Sequence, residues 1–405
     1  MLSGCTRLWK LALVVSVHAN IDDVVRCEAP TARECARIIG QSSAGAATRA
    51  QALKAVSALQ PFLATSEGQH VLSQFLEVNR RLLPDVVDQV EGLAEGVGVT
   101  SRQMMISAMF WELSFFAKRA GFAVAPAHKS CSDFHALGGG DDRLRRWIHN
   151  EDSYPSDVNN SYVVDFNASG ARHIGFVYDA QAVAGWAWSI NSHGLAHSVN
   201  ALFPTNMSIG LATSLLARDV GSATSLDDAA RRACRPEVAS GQHFNLGSLA
   251  EPDRQLMIES SYQGCDVRTL RPPTAGGGLG SGGASAAVTN AWHANLYESS
   301  KLRGIDGGPS SDPSTVHRMA RMQTLAPVDS AAGLEAVVSD TTDTTYPIHR
   351  PFPVRPPDMF GTLNTVLFDA VGATVSLWQT ESPAASGGRA VASIDWRAMR
   401  WLAEP

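Results

Sequence analysis

The spacing of apolar residues in this chain changes once, near Pro126. Upstream, residues 46 to 118 are rich in Ala and Leu, and Val71, Leu72, Phe75, Leu76 and Val78 recur at helical spacing. Pro84 and the glycines of Glu91-Gly-Leu-Ala-Glu-Gly-Val-Gly98 punctuate this stretch. A further helix is expected from Ser101 to about Lys118, with Trp111, Leu113 and Phe115 among its apolar residues.

From Cys131 onward the pattern shortens. Ser161-Tyr-Val-Val-Asp-Phe166, His173-Ile-Gly-Phe-Val-Tyr178 and Gly185-Trp-Ala-Trp-Ser-Ile190 are β-branched and aromatic runs bounded by Asn, Gly and Asp, and read as strands. Helices are expected near Ser208 to Leu216 and Leu226 to Cys234, the second with a capping-box start at Ser225 and Asp228. Strand character returns at Gln255 to Glu259. The Pro, Gly and Ser rich residues 272 to 285 read as a flexible surface loop. Helices near Thr315 to Gln323 and Ala331 to Val338 precede a last strand pair, Leu363 to Phe368 and Thr374 to Trp378, with its turn at Gly372. No internal repeat is visible. A helical front followed by strand groups with helices between them predicts α+β layers, with a sheet-on-sheet core under helices as a fitting arrangement.

Composition adds bounds. With 405 residues, 44% apolar and 18% charged, the chain can bury a large core. The net charge is −6 and the basic residues are scattered, which excludes non-specific nucleic-acid binding as a main role. No apolar run reaches the roughly 18 residues of a membrane helix. Arg7 and Lys10 precede the short apolar run Leu11 to Val17, and Val17-His18-Ala19 resembles a signal-peptide cleavage site, so residues 1–20 read as a signal peptide or an extension. Cytoplasmic location is slightly favoured. Sequons at Asn159, Asn167 and Asn206 suit export but also arise by chance. The six cysteines include no CxxC pair and do not form a disulfide scaffold; export would allow one or two bridges.

Four stretches carry candidate chemistry. Cys131 lies in His128-Lys-Ser-Cys-Ser-Asp-Phe134. A lone cysteine usually packs as a small hydrophobe, but this one sits on a polar stretch where helices give way to strands. His128, Lys129 and His135 flank it, and nearby cations lower a thiol pKa. Trp147-Ile-His-Asn-Glu-Asp-Ser153 is either a site segment or a charged turn. In Ser189-Ile-Asn-Ser-His-Gly-Leu-Ala-His-Ser-Val-Asn200, Asn191 and Gly194 build a hairpin turn, and Asn200 is a site residue or a strand-end cap. In Gly241-Gln-His-Phe-Asn-Leu246, Asn245 donates to an oxyanion or satisfies backbone. His128, His135, His149 and Asp152 lack recognisable metal-ligand spacing. No phosphate-binding glycine loop and no GxSxG elbow are present.

Taken together, these stretches resemble the family that contains acyl-coenzyme A:isopenicillin N acyltransferase and β-alanyl-dopamine (carcinine) hydrolase. The resemblance runs from about Val24 to Trp378. It extends over Val25-Arg-Cys-Glu-Ala29 to Gly40, Asn290-Ala-Trp-His-Ala-Asn295, Val316-His-Arg-Met-Ala-Arg321, Asp343-Thr-Thr-Tyr-Pro-Ile-His-Arg350 and Thr362-Leu-Asn-Thr-Val-Leu-Phe-Asp369. It implies an αββα four-layer sandwich of the N-terminal-nucleophile hydrolase type. Cleavage at Ser130-Cys131 would yield a helical α chain, residues 21–130 behind the N-terminal extension, and a β chain of residues 131–405, which stay associated. Cys131 is then the nucleophile and its freed amine the base. The resemblance assigns Asn245 to the oxyanion, Asn200 to a second donor or amine holder, and Asp152 to the protonated amine. It has Arg318 tie that carboxylate in place, with His149 and Asn150 supporting. It implies no cofactor and no metal, and a small amide as substrate. His149-Asn-Glu-Asp152 is closest to the hydrolase branch, which suggests N-β-alanyl or similar acyl amines. Acyl transfer from a coenzyme A or amide donor is the alternative, and an unprocessed ligand-binding scaffold is another. Relatives usually carry Gly before the cysteine where this chain has Lys129-Ser130; Gly tolerates strained backbone better, so slower processing is expected.

Overall fold

The computed structural model describes residues 24–124, 130–138, 143–178, 183–273 and 288–403. The front of the chain is helical: α1 (Ala32–Gly40), α2 (Ser43–Leu63), α3 (Ser66–Leu82), α4 (Pro84–Val97), α5 (Ser101–Ala108) and α6 (Phe110–Arg119). Local signals set their ends. Thr100 and Gln103 close a reciprocal capping box on α5, and Pro84 opens α4. Gly92 and Gly96 let α4 lie directly against α1, where a Cβ at either position would collide with the carbonyl oxygens of Arg33 and Arg37.

Before these helices comes a strand that the apolar pattern did not predict. β1 (Val24–Ala29) pairs in parallel with β4 (Tyr162–Ala168), so the front segment contributes to a sheet as well as to a helical layer. The remaining strands up to residue 270 are β2 (Ser130–Gly138), β3 (Arg145–Ser153), β5 (Ala171–Val177), β6 (Trp188–Asn191), β7 (Leu195–Leu202), β8 (Gly241–Ser248), β9 (Gln255–Ser261) and β10 (Gly264–Leu270). After them come β11 (Val288–His293), β12 (Gly361–Asp369), β13 (Thr374–Gln379), β14 (Ala392–Asp395) and β15 (Arg400–Ala403). The other helices are α7 (Thr213–Val220), α8 (Leu226–Ala233), α9 (Pro313–Leu325) and α10 (Ala331–Val338). Ser225 caps α8 through the Asp228 N–H as expected, while Asp228 reaches the Thr224 N–H rather than closing the box.

Among the described residues two sheets form. Sheet A runs β1-β4-β5-β6-β7-β8-β9-β10, and sheet B runs β11-β2-β3-β12-β13-β14-β15. They face each other through β2 and β7. Helices α1 and α8 cover sheet A, and α9 and α10 cover sheet B. The molecule is therefore an αββα four-layer sandwich. The Asn191 side chain accepts from the His193 and Leu195 N–H groups and Gly194 sits at positive φ, making the β6–β7 turn read from the sequence. Residues 1–23, and 274–287 with most of the expected surface loop, fall outside the described set. No helix among the described residues is long and apolar enough to cross a membrane.

Two disulfides join Cys27 to Cys35 and Cys234 to Cys265, leaving Cys131 as the free cysteine among the described residues.

Candidate active site

Side chains alternate along a strand, and β2 uses both of its faces. Ser132 and Phe134 turn toward α9 and α10, whereas Cys131, Asp133 and His135 turn toward sheet A. On neighbouring β3, Glu151 stands opposite Cys131, His149 opposite Asp133, and Asp152 opposite Ser130. The His149-Asn-Glu-Asp152 stretch is thus a fully buried strand and not a charged turn.

Cys131 is 2% exposed. Its N–H donates to Asn295 Oδ1 at 3.1 Å, and Asn295 Nδ2 lies 3.8 Å from its Sγ while donating to the Ala201 carbonyl at 2.9 Å. Arg318 on α9 fixes this frame. One guanidinium nitrogen donates to Asn295 Oδ1 at 2.8 Å, and the other to Ser132 Oγ at 2.8 Å and to the Cys131 carbonyl. Burial, and next the Glu151 carboxylate, hold the Cys131 thiol well above its ordinary range. The sequence expectation was the reverse, a thiol lowered by cations. His128 and Lys129 lie outside the described residues. Burial lowers the His135 pKa, and its ring nitrogens engage Gln255 and Asn245, so it supplies no positive charge at neutral pH.

Asp152 faces the opposite side of the sheet. Its Oδ1 accepts from Thr362 Oγ1 at 2.7 Å, and its Oδ2 lies 3.6 Å from Arg350 Nη1. Burial raises its pKa from 3.8 to about 6 against the pull of Arg350 and Arg318. Arg350, not Arg318, is the ion-pair partner of this carboxylate; the hydrogen bonds of Arg318 go to Cys131, Ser132, Asn295, Ser314 and Thr315.

Asn200 and Asn245 stand deeper between the sheets. Asn245 Nδ2 donates to Asn200 Oδ1 at 3.2 Å, and its Oδ1 meets His135 Nε2 at 2.8 Å. Asn200 Nδ2 donates to Asp133 Oδ2 at 2.7 Å, and its Oδ1 meets His243 Nδ1 at 2.9 Å. Among the described residues no hydrogen bond joins either asparagine to Cys131. The amide beside the sulfur belongs instead to Asn295.

His149 bridges two carboxylates, Asp133 Oδ2 at 2.7 Å and Glu151 Oε2 at 3.0 Å. Burial opposes its protonation, but Asp133 and Glu151 outweigh that and push the imidazole up to about 10. Tyr178 donates its hydroxyl to the second Glu151 oxygen. Asn150 turns outward and ties the Val338 and Ile348 carbonyls and Thr365 to β3. Among the described residues no group of three or more His, Cys, Asp or Glu side chains is arranged to hold a metal ion.

Residues 139–382, more than half of the chain, match the family described as acyl-coenzyme A:6-aminopenicillanic acid acyl-transferase. The chain belongs to this family. By its description it is a family of acyl-transferases. No curated protein sequence matches the chain. Among solved structures, it is similar to a Caenorhabditis elegans N-acylethanolamine-hydrolyzing acid amidase ortholog, at 13% identity over 60% of this chain and 93% of that one, TM-score 0.36. It is similar to a point mutant of conjugated bile acid hydrolase from Clostridium perfringens, at 14% identity over 61% and 89%, TM-score 0.32. Penicillin V acylase from Agrobacterium tumefaciens gives 13% identity over 62% and 83%, TM-score 0.31.

Four residues of this family member escaped assignment from the sequence: Asp133, Glu151, Asn295 and Arg350. Asn295 and Arg350 each close a block quoted for the resemblance, so their positions were visible without their roles. Asp133 and Glu151 would have followed from strand alternation had residues 130–138 and 145–153 been read as strands. Arg350 also lines a cavity of about 290 Å³ with Asp343, Phe352, Arg355, Asp358 and Phe360.

Proposed function

We propose that this family member is a cysteine N-terminal-nucleophile amidohydrolase that splits its own chain at Ser130–Cys131 and then cleaves N-acyl amines through an acyl-thioester. The observation that carries this reading is the frame around Cys131: one asparagine amide spanning the backbone nitrogen and the sulfur, clamped by a buried arginine that also holds the Cys131 carbonyl.

The chemistry follows from that frame. In the uncut chain the thiol attacks the Ser130 carbonyl, the acyl group moves from nitrogen to sulfur, and water releases a free amine on Cys131. An unperturbed α-amine has a pKa of about 8 and accepts the thiol proton near neutral pH. Asp152, opposite Ser130 and beside the bond that breaks, would steady the resulting ammonium. With substrate, the thiolate adds to the amide carbonyl, and Asn295 Nδ2 would donate to the oxyanion. One such donor is worth about 3 kcal/mol of barrier. The amine leaves, and water clears the thioester. N-β-alanyl amines remain the leading substrate class. The matched family's description favours one second reading, in which an amine clears the thioester and the acyl donor is a coenzyme A thioester.

Gel electrophoresis tests the reading. Fragments of about 14 and 29 kDa are expected from the 43.1 kDa of the whole chain, and Cys131→Ala should stay whole. A wild-type chain that stays whole would favour a non-catalytic scaffold. Assays with N-β-alanyl amines and acyl-coenzyme A donors then separate hydrolysis from transfer.

A further inference from the structure

Self-cleavage needs a base before the α-amine exists. In the uncut chain the Cys131 nitrogen is an amide that donates to Asn295, so it takes no proton. Burial disfavours a free thiolate, and the thiol proton must pass to a neighbour. Most neighbours are engaged. The ring nitrogens of His135 contact Gln255 and Asn245. His149 is an imidazolium held between two acids. Asp133 already accepts from Ser198 and Asn200 and pairs with His149. Asp152 lies on the other face of the sheet.

Glu151 remains. It is the direct cross-strand partner of Cys131 and projects from the same face, toward sheet A. Such partners carry their Cβ atoms about 4.5–5.5 Å apart, within reach of a glutamate side chain. Its carboxylate is 1% exposed and held at both oxygens, by His149 at one and Tyr178 at the other. A carboxylate offers about four lone-pair sites, so two contacts leave acceptor capacity.

We propose that the Glu151 carboxylate is the base of self-cleavage, taking the Cys131 thiol proton and returning it to the Cys131 nitrogen. The assignment rests on cleavage at Ser130–Cys131 as proposed above. The thiol proton passes to Glu151 as sulfur bonds to the Ser130 carbonyl carbon. Glu151 then protonates the Cys131 nitrogen as the C–N bond breaks, leaving a Ser130 thioester and a free amine. Water hydrolyses the thioester to the Ser130 carboxylate and the thiol. Glu151 ends as it began. It completes the device that Cys131 later supplies for itself.

The test is pulse-labelled synthesis of the full chain followed by gel electrophoresis over time, with circular dichroism to check folding. Glu151→Gln keeps the shape, turns one acceptor oxygen into a donor and is no base, and cleavage should slow by about 100-fold or more. Glu151→Asp keeps a base at shorter reach and should recover at least a tenth of the wild-type rate, a rescue that loss of packing would not give. Glu151→Gln cleaving within about threefold of wild type, or Glu151→Asp cleaving no faster than Glu151→Gln, overturns the assignment. A wild-type chain that never breaks before Cys131 sinks the parent reading instead, so the two failures are distinct.

Discussion

Asn295 turns both ends of its side-chain amide toward Cys131, accepting from the backbone N–H at 3.1 Å and holding Nδ2 3.8 Å from the sulfur. This pairing joins β2 to the segment after β11, and Arg318 locks it. Asn295→Ala should lower kcat of the cleaved enzyme by about 10²–10³, the usual cost of losing an oxyanion donor. Asn245→Ala should cost clearly less, because its amide is committed to Asn200 and His135. The comparison is made on purified, fully cleaved fractions. Equal losses at the two positions contradict the placement.

Asp152 gives a pH signature of unusual sign. Its folded pKa is raised from 3.8 to about 6 by burial, so its ionisation opposes folding. The stability tied to this group is fully present below 3.8 and is lost as pH rises through about 6. Activity should move the other way, because a carboxylate that steadies an ammonium must be charged. The kcat/KM profile should therefore rise through about pH 6, and Asp152→Asn should remove both the activity and this part of the Tm profile. A flat Tm difference between wild type and Asp152→Asn from pH 4 to 7 argues against it.

His149 should remain protonated at pH 8. Nitrogen-15 NMR should show an imidazolium that titrates only near 10, so the stability it confers is fully present below 6.5 and is lost as pH rises through about 10. His149→Leu leaves Asp133 and Glu151 buried without the cation between them and should destabilise the fold by about 3–5 kcal/mol. A neutral ring at pH 8 contradicts the charge assignment.

The disulfides predict a gel result. Cys27 and Cys35 both precede the proposed cleavage point, and Cys234 and Cys265 both follow it. No bridge among the described residues ties one product to the other. Two fragments should separate on a denaturing gel without reductant, and thiol alkylation of the denatured β chain should mark Cys131 alone until reductant is added. A single band of full size without reductant, splitting only with it, contradicts these pairings.

The sequence made the layers legible where a pattern had a single meaning. The helical spacing around Val71–Val78 falls within α3, and the strand pair at Leu363–Trp378 is β12 and β13. Failures came where a polar run is buried on both faces of a strand. β2 and β3 carry Asp133, His135, His149, Glu151 and Asp152 on interior faces, and their hydrophobicity resembles that of a surface turn. Mutual hydrogen bonding and ion pairing make that burial tolerable, and both depend on partners distant in the chain, such as Asn200 and Arg350. β1 was missed because its pairing with β4 crosses more than a hundred residues. Local pattern points to Cys131 and Asp152 as candidates, whereas the placement of the Asn295 amide, and not that of Asn245, beside the sulfur depends on which strand faces which.

The most direct test is the N-terminal sequence and intact mass of the larger fragment from active protein. The account predicts a chain that begins at Cys131 and has the mass of residues 131–405 alone, and it predicts that Cys131→Ala yields no such fragment and no turnover. Active protein that is uncut, or cut so that Cys131 is not its first residue, would contradict it.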